Sequence, residues 1–422
     1  MPTSKSRFER IESLFSGLMA DEAEPRASAS VTKGPNIRHV MPLTSAALAR
    51  NWDVLKKCTS LDADDQQCLA DDETCRRIKV YSKNIENCVG TLKIPVGVAG
   101  PLRIHGLFAR GDFYIPLATT EAALVASYHR GSRLITAAGG CSTLIHDSAV
   151  SRSPGFIFRN MQEARSFAQW AVKHFETFCA EAARTTRHGK LVDMRVTFEG
   201  NHVYINLDFY TGEAAGQNMV TIAAAAVVGW IRKHSPVKPV RSYVEANLSG
   251  DKKATWLSLL SVRGKKVTVE ASLPDALVRR YLHVSAKDMQ QVWMMTAMGG
   301  IMSGAMGIQA HFSNGLAALY LATGQDAACV SESSVGVTRM EVEDNGNLYV
   351  TLTLPNIIVG TVGGGTKLPS QAVGLKMLQL AGRGQSFALA EVCAATCLAG
   401  ELSLLAAVAS DHFAAAHERL AR

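Results

Sequence analysis

The sequence predicts an α+β fold, in which a large, mainly helical domain surrounds a central helix and carries an inserted small ferredoxin-like domain. Three patterns lead to this prediction. Long apolar helical stretches occur at residues 217–231 and 386–409. Strand-like stretches at 191–198 and 202–209 predict a small antiparallel pair, and a hairpin is predicted at 337–354. Helices laid on a small antiparallel sheet are the economical arrangement for such elements.

Length and composition are those of a globular enzyme. The chain has 422 residues, of which 47% are hydrophobic and 19% charged, so disordered and fibrous classes are excluded. The net charge of +7 is mild and the basic residues are scattered, which favours a small anionic ligand over nucleic acid. Nine irregularly spaced cysteines indicate reduced thiols and a cytoplasmic location, with no metal site.

The N-terminus carries charges where a signal peptide needs its apolar core. The longest apolar run, residues 219–231, is too short to cross a bilayer. We therefore expect no membrane span.

The order of elements predicts the division into domains. A helix and flexible linker are expected at 1–35, and the residues after it are polar and helical in tendency. A helix at 161–184 and a strand at 237–244 complete the small layer. The predicted domains are 1–35, a small helical N-domain at 36–85, a large domain at 86–153 and 245–422, and the inserted domain at 154–244.

In the second half, a helix is predicted at 288–298 and another at 371–380. Between them, the small residues of 299–310 predict tight helix crossings and a long central helix packed from several sides.

Glu121 stands between a strand-like half, residues 113–117, and an apolar helical run beginning at Ala122. Thr119 and Thr120 are candidate N-caps at this junction. A carboxyl group held there would be partly desolvated and suited to proton donation. An ordinary dipole-compensating Glu in the first helical turn is the alternative.

Two segments are candidates for binding an anionic or nucleotide group through backbone amides. The glycine turn at 360–366 follows a strand, and residues 211–218 open the long apolar helix. A tight turn between elements explains the first segment equally well. Glu213 in the second is also what an ordinary helix start requires.

Three further residues carry possible chemistry. Adjacent Lys252 and Lys253 would point about 100° apart on a helix, so they would not share one solvated face, although an ordinary solvated pair is the alternative. Asp326 closes an apolar helix in surroundings poor in other charges, which favours a functional or paired carboxylate over a surface one. His417 lies in a C-terminal helical stretch, where most histidines are solvated.

Several of these segments together resemble one family, the 3-hydroxy-3-methylglutaryl-coenzyme A reductases, and its eukaryotic-like branch more than the other. The resemblance covers the soluble catalytic portion, without the family's membrane anchor, from about residue 86 to residue 417. The matching stretches are ENCVGTLKIPVGVAGPL, PLATTEAALVAS, SGDKK, HFSNGLAALYLATGQDAA, LPNIIVGTVGGGT and LAGELSLLAAVASDHFAAAH.

The resemblance implies a four-electron reduction of an acyl-CoA thioester to mevalonate and CoA, with two NADPH and a bound mevaldehyde. Glu121 matches the catalytic glutamate, Lys252 the catalytic lysine, Asp326 the aspartate and His417 the C-terminal histidine. In those roles Lys252 would stabilise an oxyanion and His417 would protonate the leaving thiolate. Glu121 would deliver a proton, with Asp326 lying next to both the acid and the lysine.

The resemblance also implies the binding residues and an NADP-binding role for the inserted domain. Substrate contacts are expected from Arg130, Arg152, Asn247, Lys253 and Asn314. Cofactor contacts are expected from Arg187, Glu213, Ala214, Gly216, Asn218, Gly363 and Gly364. Family members form homodimers or homotetramers with shared sites, so the same assembly is expected here.

The sequence departs from the family at the acyl pocket and the cofactor motif. Glu245 stands where the family has a serine, and Met294 where it has a second lysine. Losing a cation and gaining a carboxylate should weaken capture of an anionic acyl group. Glu213 also replaces the aspartate of the cofactor motif. A reductase of a related acyl-CoA is therefore an alternative, as is a non-catalytic descendant that binds acyl-CoA or nucleotide.

Overall fold

The structure is a computed structural model that describes residues 43–410. The predicted N-terminal helix and linker at 1–35 lie outside the described residues, as does His417. The chain divides into two compact units between Lys93 and Ile94. The domain boundaries proposed from the sequence stay predictions.

The first unit is a small helical layer. Its elements are α1 (Ser45–Cys58), α2 (Ala63–Leu69), α3 (Asp72–Arg77) and a 3₁₀ helix (Ile78–Lys83). The Thr44 hydroxyl caps α1, and the Asp62 and Asp65 side chains form a capping box at α2. Trp52 is buried and donates its indole N–H to the Val89 carbonyl oxygen at 2.7 Å. A single tryptophan therefore anchors the core of this layer.

The second unit is built on an eleven-stranded sheet. Its strands are β1 (Val96–Gly106), β2 (Arg110–Ala118), β3 (Cys141–Arg152), β4 (Gly155–Ile157), β5 (Lys190–Glu199), β6 (His202–Tyr210), β7 (Arg241–Tyr243), β8 (Gly264–Leu273), β9 (Gly307–Ile308), β10 (Gly336–Val342) and β11 (Leu348–Ile357). The main path runs β7-β4-β6-β3-β8-β11-β10-β9, with β1 pairing β2 and β3, and β5 pairing β6. The long strand β3 belongs to both halves of the sheet.

The helices of this unit lie on both halves of the sheet. They are α4 (Leu124–Ala137), α5 (Met161–Lys173), α6 (Phe175–Ala183), α7 (Gln217–His234), α8 (Leu257–Leu260), α9 (Asp275–Leu282), α10 (Ala286–Ser303), α11 (Phe312–Thr323), α12 (Val330–Ser333), α13 (Pro369–Met377) and α14 (Ser386–Ala409). The predicted α+β class is confirmed. The helix predicted at 161–184 is interrupted at His174, whose backbone leaves the helical region.

The central helix is α14, and not the glycine-rich stretch that the sequence indicated. Residues 299–310 instead end α10, turn and form the short strand β9. A Cβ atom at Gly299 or Gly300 would meet open space, so these glycines make no tight crossing. A close crossing occurs between α4 and α14, where Gly131 packs on the Ala399 carbonyl and Gly400 on the Tyr128 ring.

Helix α14 is long and apolar enough to cross a bilayer, which corrects the expectation that no segment reaches that length. Most of the helix is buried inside the fold, as in the core helix of a globular protein.

Two carboxylates on α14 hold loops of the sheet. Glu391 accepts the backbone amides of residues 107–109, in the turn between β1 and β2. Glu401 accepts the amides of Ala310 and His311, just before α11. Burial raises the pKa of both groups, that of Glu401 to about 7. The central helix therefore fixes the start of α11, which carries part of the site.

Candidate active site

An ion pair between Lys252 and Asp326 is the chemical centre of the site. Lys252 lies in the loop between β7 and α8. Asp326 follows α11 and accepts the Ala328 amide at the start of a 3₁₀ turn. Lys252 Nζ lies 2.8 Å from Asp326 Oδ2, and the side chains are 42% and 40% exposed. The hydrogen bond to Asp326 raises the pKa of Lys252. The lysine therefore keeps its charge while remaining accessible to a ligand.

Behind Lys252, the carboxylate of Asp251 lies between two arginines. Arg152 Nη1 is 2.7 Å from Asp251 Oδ2, and Arg263 Nη2 is 2.7 Å from Oδ1. The other nitrogen of Arg263, Nη1, lies 2.5 Å from Glu332 Oε2. Burial alone would raise the pKa of Asp251, but the charges of Arg263 and Arg152 outweigh it and lower that pKa. We call these four residues, Arg152, Asp251, Arg263 and Glu332, the buried charge cluster.

The buried charge cluster connects the two segments that carry the ion pair. Asp251 immediately precedes Lys252, and Glu332 lies in α12, just after the Asp326 turn. Lys252 has a left-handed φ of 55°, which a non-glycine residue keeps only when its surroundings determine it. Because Arg263 contacts both Asp251 and Glu332, it ties Lys252 to the Asp326 segment.

Glu121 lies in the exposed loop between β2 and α4. Its amide donates to the Thr119 hydroxyl at 3.0 Å, and Asn314 Nδ2 is 3.4 Å from its Oε1. The expected capping by Thr119 or Thr120 is wrong, since α4 begins at Leu124 after a left-handed Ala123 without a side-chain cap. Glu121 is exposed in the single chain, so residues 43–410 do not give it the expected partial desolvation. The acid therefore stands ahead of the helix and faces Asn314.

Of the predicted catalytic residues, the structure pairs Lys252 with Asp326 and gives Glu121 a different partner, Asn314. Within residues 43–410, no hydrogen bond or ion pair joins Glu121 to Lys252 or to Asp326. His417 lies outside the described residues, so its catalytic role stays a prediction.

The two candidate nucleotide segments lie against each other. The Thr361 amide donates to the Glu213 carbonyl oxygen at 3.1 Å. Gly360 packs so closely on the backbone of Ala214 and Ala215 that a side chain would collide there. Gly216, with a φ of 77°, begins α7. The sequence had indicated each segment separately, and the fold joins them into one surface.

This surface adjoins the ion pair. The Gly360 amide donates to Gln325 Oε1 at 2.9 Å, and Gln325 directly precedes Asp326. Gly324 likewise packs against the backbone of Gly365. The glycine turn is thus attached to the segment that carries the catalytic aspartate candidate.

Comparison with known proteins identifies the family. A model of the hydroxymethylglutaryl-coenzyme A reductase family matches residues 47–422. The 3-hydroxy-3-methylglutaryl-coenzyme A reductase of Pyrococcus abyssi is 42% identical over 352 residues, which cover 82% of this chain and 86% of that protein. The reductase of Methanocaldococcus jannaschii is 41% identical over 345 residues, covering 81% and 85%. The chain belongs to the hydroxymethylglutaryl-coenzyme A reductase family. The family consists of oxidoreductases.

A solved structure agrees with this reductase fold. The class II 3-hydroxy-3-methylglutaryl-CoA reductase of Streptococcus pneumoniae, bound to NADPH in open conformations, matches with a TM-score of 0.63. The match covers 85% of this chain and 96% of that one, at 18% identity. At this identity the likeness shows a common fold.

The remaining contacts expected from the reductase family have separate locations. Arg130 bonds to Ser403 on α14, with Nε 3.0 Å from the hydroxyl and Nη2 2.7 Å from the carbonyl oxygen. Burial lowers the pKa of Arg130. Arg187 is exposed in the loop between α6 and β5. The neighbouring Thr186 hydroxyl lies 3.0 Å from Met219 Sδ, which places this loop beside the exposed Asn218 at the start of α7.

Arg152 differs most from its expected role as a free cation for a substrate carboxylate. Its side chain is 7% exposed, and Nη1 contacts Glu245 Oε2 at 3.3 Å in addition to Asp251. Glu245 Oε2 also accepts the Ser153 amide and the Ser249 hydroxyl. The carboxylate of Glu245, which departs from the family pattern, therefore bonds to groups within the protein, and so does Arg152.

The other acyl-pocket residues are more open. Asn247 is exposed, with a left-handed φ of 71°, and its amide donates to Glu245 Oε1 at 2.6 Å. Lys253 is exposed and donates to the Asp251 carbonyl oxygen at 2.8 Å. Met294 is 54% exposed on α10. Of the residues expected to bind the acyl carboxylate, Lys253 is the accessible cation.

Sequence reasoning missed Arg263, Glu332 and Lys265, all of which are buried. The local signal for Arg263 and Lys265 was the basic group at 263–266, where the apolar strand β8 begins. A charge placed there must be buried with the strand, which requires partners from distant parts of the chain.

We predict that Arg263→Met lowers the free energy of unfolding by about 3–5 kcal/mol, because it leaves the buried Glu332 carboxylate without a cation and Asp251 with Arg152 alone. Chemical denaturation measures this change. The matched control is Arg279→Met, whose partner Asp275 lies on the same helix and whose side chain is 61% exposed. That control should change stability by no more than about 0.5 kcal/mol. Equal losses in the two variants would contradict the structural role of the cluster.

Proposed function

We propose that the protein catalyses the NADPH-dependent reduction of 3-hydroxy-3-methylglutaryl-CoA to mevalonate and CoA through a bound mevaldehyde. The observation that carries the proposal is the Lys252–Asp326 ion pair beside the glycine turn, in a chain of this reductase family. A cytoplasmic location is part of the proposal.

The residues of the glycine turn suit a phosphate-bearing cofactor. The positions of Gly363 and Gly364 face open space, and their amides donate no hydrogen bond to residues 43–410. Free amides of this kind, together with the start of α7, attract anionic groups. NADPH, when bound, supplies hydride. Gly363, Gly364, Gly216, Glu213, Ala214 and Asn218 would hold it, with Arg187 on the 2′-phosphate.

Lys252 would stabilise the oxyanion that develops on the thioester carbonyl and later on the aldehyde. Asp326 serves this role by keeping the ammonium charged, which its hydrogen bond to Lys252 supports. A cation held in position before the reaction stabilises developing negative charge without reorganisation. Each hydride addition then places negative charge next to a fixed positive one.

Glu121 would deliver the proton that completes the alcohol, with Asn314 orienting its carboxyl group. His417 would protonate the coenzyme A thiolate as it leaves. Arg130, Asn247 and Lys253 would contact the acyl-CoA, and Arg152 would hold the loop that carries Lys252. Two successive reductions consume four electrons and two protons, so proton donors are as necessary as the cation.

We predict that Glu121→Gln abolishes alcohol formation and leaves nucleotide binding nearly intact. Glutamine keeps the size of the side chain and the contact with Asn314, but it has no acidic proton to donate. Product analysis and NADPH titration measure the two effects. Glu199→Gln, at a side chain 77% exposed in the β5–β6 hairpin, is the matched control and should behave as the wild type. Unchanged turnover in Glu121→Gln would refute the assignment.

The second candidate is a reductase of a related acyl-CoA without the terminal carboxylate. The pairing of Arg152 with Glu245 and Asp251 favours it, because this arginine offers little free charge to an anionic acyl group. The candidate uses the same reductive chemistry and differs only in the acyl pocket.

A substrate screen separates the two candidates. NADPH and NADH oxidation are compared with the methylglutaryl thioester and with neutral branched acyl thioesters. A strong preference for the methylglutaryl thioester excludes the second candidate. If the second candidate is correct, Glu245→Ser should raise kcat/KM for the methylglutaryl thioester by about tenfold, since it releases Arg152 from one carboxylate. Glu199→Ser should leave the preference unchanged.

We also propose that the protein assembles as a homodimer or a dimer-built homotetramer with shared active sites. Support comes from an apolar face of α10, whose side chains are 54–83% exposed in the single chain. This face comprises Met294, Met295, Met298, Ile301 and Met302. Apolar surface of this kind is typical of protein interfaces.

Light scattering at micromolar concentration should give at least twice the 45.3 kDa mass of the chain. Introducing charge with Met298→Glu and Met302→Glu should shift the mass toward that of the monomer. The control is Met161→Glu, at a methionine 65% exposed on α5. A monomeric wild type would contradict the shared-site arrangement.

A further inference from the structure

Lys265 is a buried lysine that the proposed chemistry does not use. It lies at the start of β8 with 3% of its surface exposed. Its Nζ donates to the Val359 carbonyl oxygen at 3.1 Å and lies 5.2 Å from the centre of the Phe387 ring. Burying an ammonium group with so few partners costs free energy, so an apolar residue would be more stable there. Its presence therefore indicates a role other than packing.

The surroundings of Lys265 are the two candidate nucleotide segments. Val359 immediately precedes the glycine turn. Glu213, in the other segment, receives the Ser386 amide on its carboxylate at 2.9 Å and the Thr361 amide on its carbonyl oxygen at 3.1 Å. Phe387, whose ring lies near the Lys265 ammonium, follows Ser386. The lysine thus stands where both segments meet the start of α14.

Charged and titratable groups face Lys265 from two elements. Glu213 lies on the loop before α7, and Cys393 lies on α14. Burial lowers the pKa of Lys265 to about 8, while Glu213 and then Cys393 oppose that shift. The ammonium is therefore charged at neutral pH and loses its proton under mildly alkaline conditions.

We propose that Lys265 is a positioning residue for NADPH: its ammonium holds the Val359 carbonyl and faces Glu213, which fixes the glycine turn against residues 212–214. The inference rests on the proposed function. Lys265 itself does not touch the nucleotide, since its side chain is buried beneath the turn. Its charge acts through the backbone that presents the amides of Gly363 and Gly364.

The test compares Lys265→Met, Lys265→Arg and Lys266→Met in the full chain. Lys266 is the next residue on β8, pairs in register with Asp147 and is half-buried, so it is the matched control. NADPH titration by fluorescence and steady-state kinetics should show about a tenfold rise in Kd and KM for NADPH in Lys265→Met. The kcat at saturating NADPH should stay within about twofold.

Rescue and pH dependence distinguish positioning from packing. Lys265→Arg keeps a permanent charge and should recover most of the NADPH affinity. In the wild type, affinity should fall as pH rises through about 8, the pKa at which Lys265 loses its charge. Lys265→Arg should show no such fall, and Lys266→Met should follow the wild type.

The inference is overturned if Lys265→Met binds NADPH as the wild type does, or if the pH dependence is the same in Lys265→Arg. It is also overturned if Lys265→Met lowers kcat and leaves KM for NADPH unchanged. A wild type that binds no NADPH overturns the proposed function together with this inference. The NADPH titration of the wild type alone therefore distinguishes failure of the proposed function from failure of the inference about Lys265.

Discussion

The site depends on one interaction, in which the guanidinium groups of Arg152 and Arg263 hold the Asp251 carboxylate between them. The next residue, Lys252, has a left-handed backbone that an isolated loop would not keep. Two buried guanidinium groups fix the carboxylate, and through Arg263 and Glu332 they also fix the segment after Asp326. The Lys252–Asp326 ion pair therefore has its geometry determined from behind, by a cluster in which Arg152, Arg263 and Glu332 are almost fully buried.

Carboxylates that hold a neighbouring segment in place also occur elsewhere around the sheet. Glu391 and Glu401 on the buried helix α14 each accept backbone amides from a loop, residues 107–109 and 310–311 respectively. Buried carboxylates with backbone partners are costly to lose, because an unpaired charge or amide would remain inside the protein. The start of α11, which carries Asn314, and the turn between β1 and β2 are thus both attached to the buried central helix.

Much of the fold follows from local pattern. Helix α14 was predicted at its observed bounds, and the strands β5, β6, β10 and β11 were predicted to within a few residues. The glycine-rich stretch at 299–310 was misinterpreted because small residues permit both a close crossing and a turn. The residues that pack against this stretch decide between a crossing and a turn, and those residues lie elsewhere in the sequence. The helix predicted at 161–184 likewise has no proline or glycine near His174 that would predict its interruption there.

The site was less predictable than the fold. The roles of the ion-pair residues came from their resemblance to a family, whereas local pattern marked Asp326 as a functional or paired carboxylate without showing that its partner is Lys252. The partners of Arg263 and the pairing of Arg152 with Glu245 depend on contacts between distant segments. The sequence shows which charged residues exist, whereas the fold determines which of them form ion pairs.

The buried charge cluster holds Lys252 against Asp326. An NMR titration of the Lys252 ammonium in the wild type, in Asp326→Asn and in Arg263→Lys tests it directly. The pKa of Lys252 should lie above the ordinary lysine value in the wild type and fall towards that value in both variants, since each loosens the ion pair. An unshifted pKa in the wild type, or the same raised pKa in Arg263→Lys, would contradict the claim.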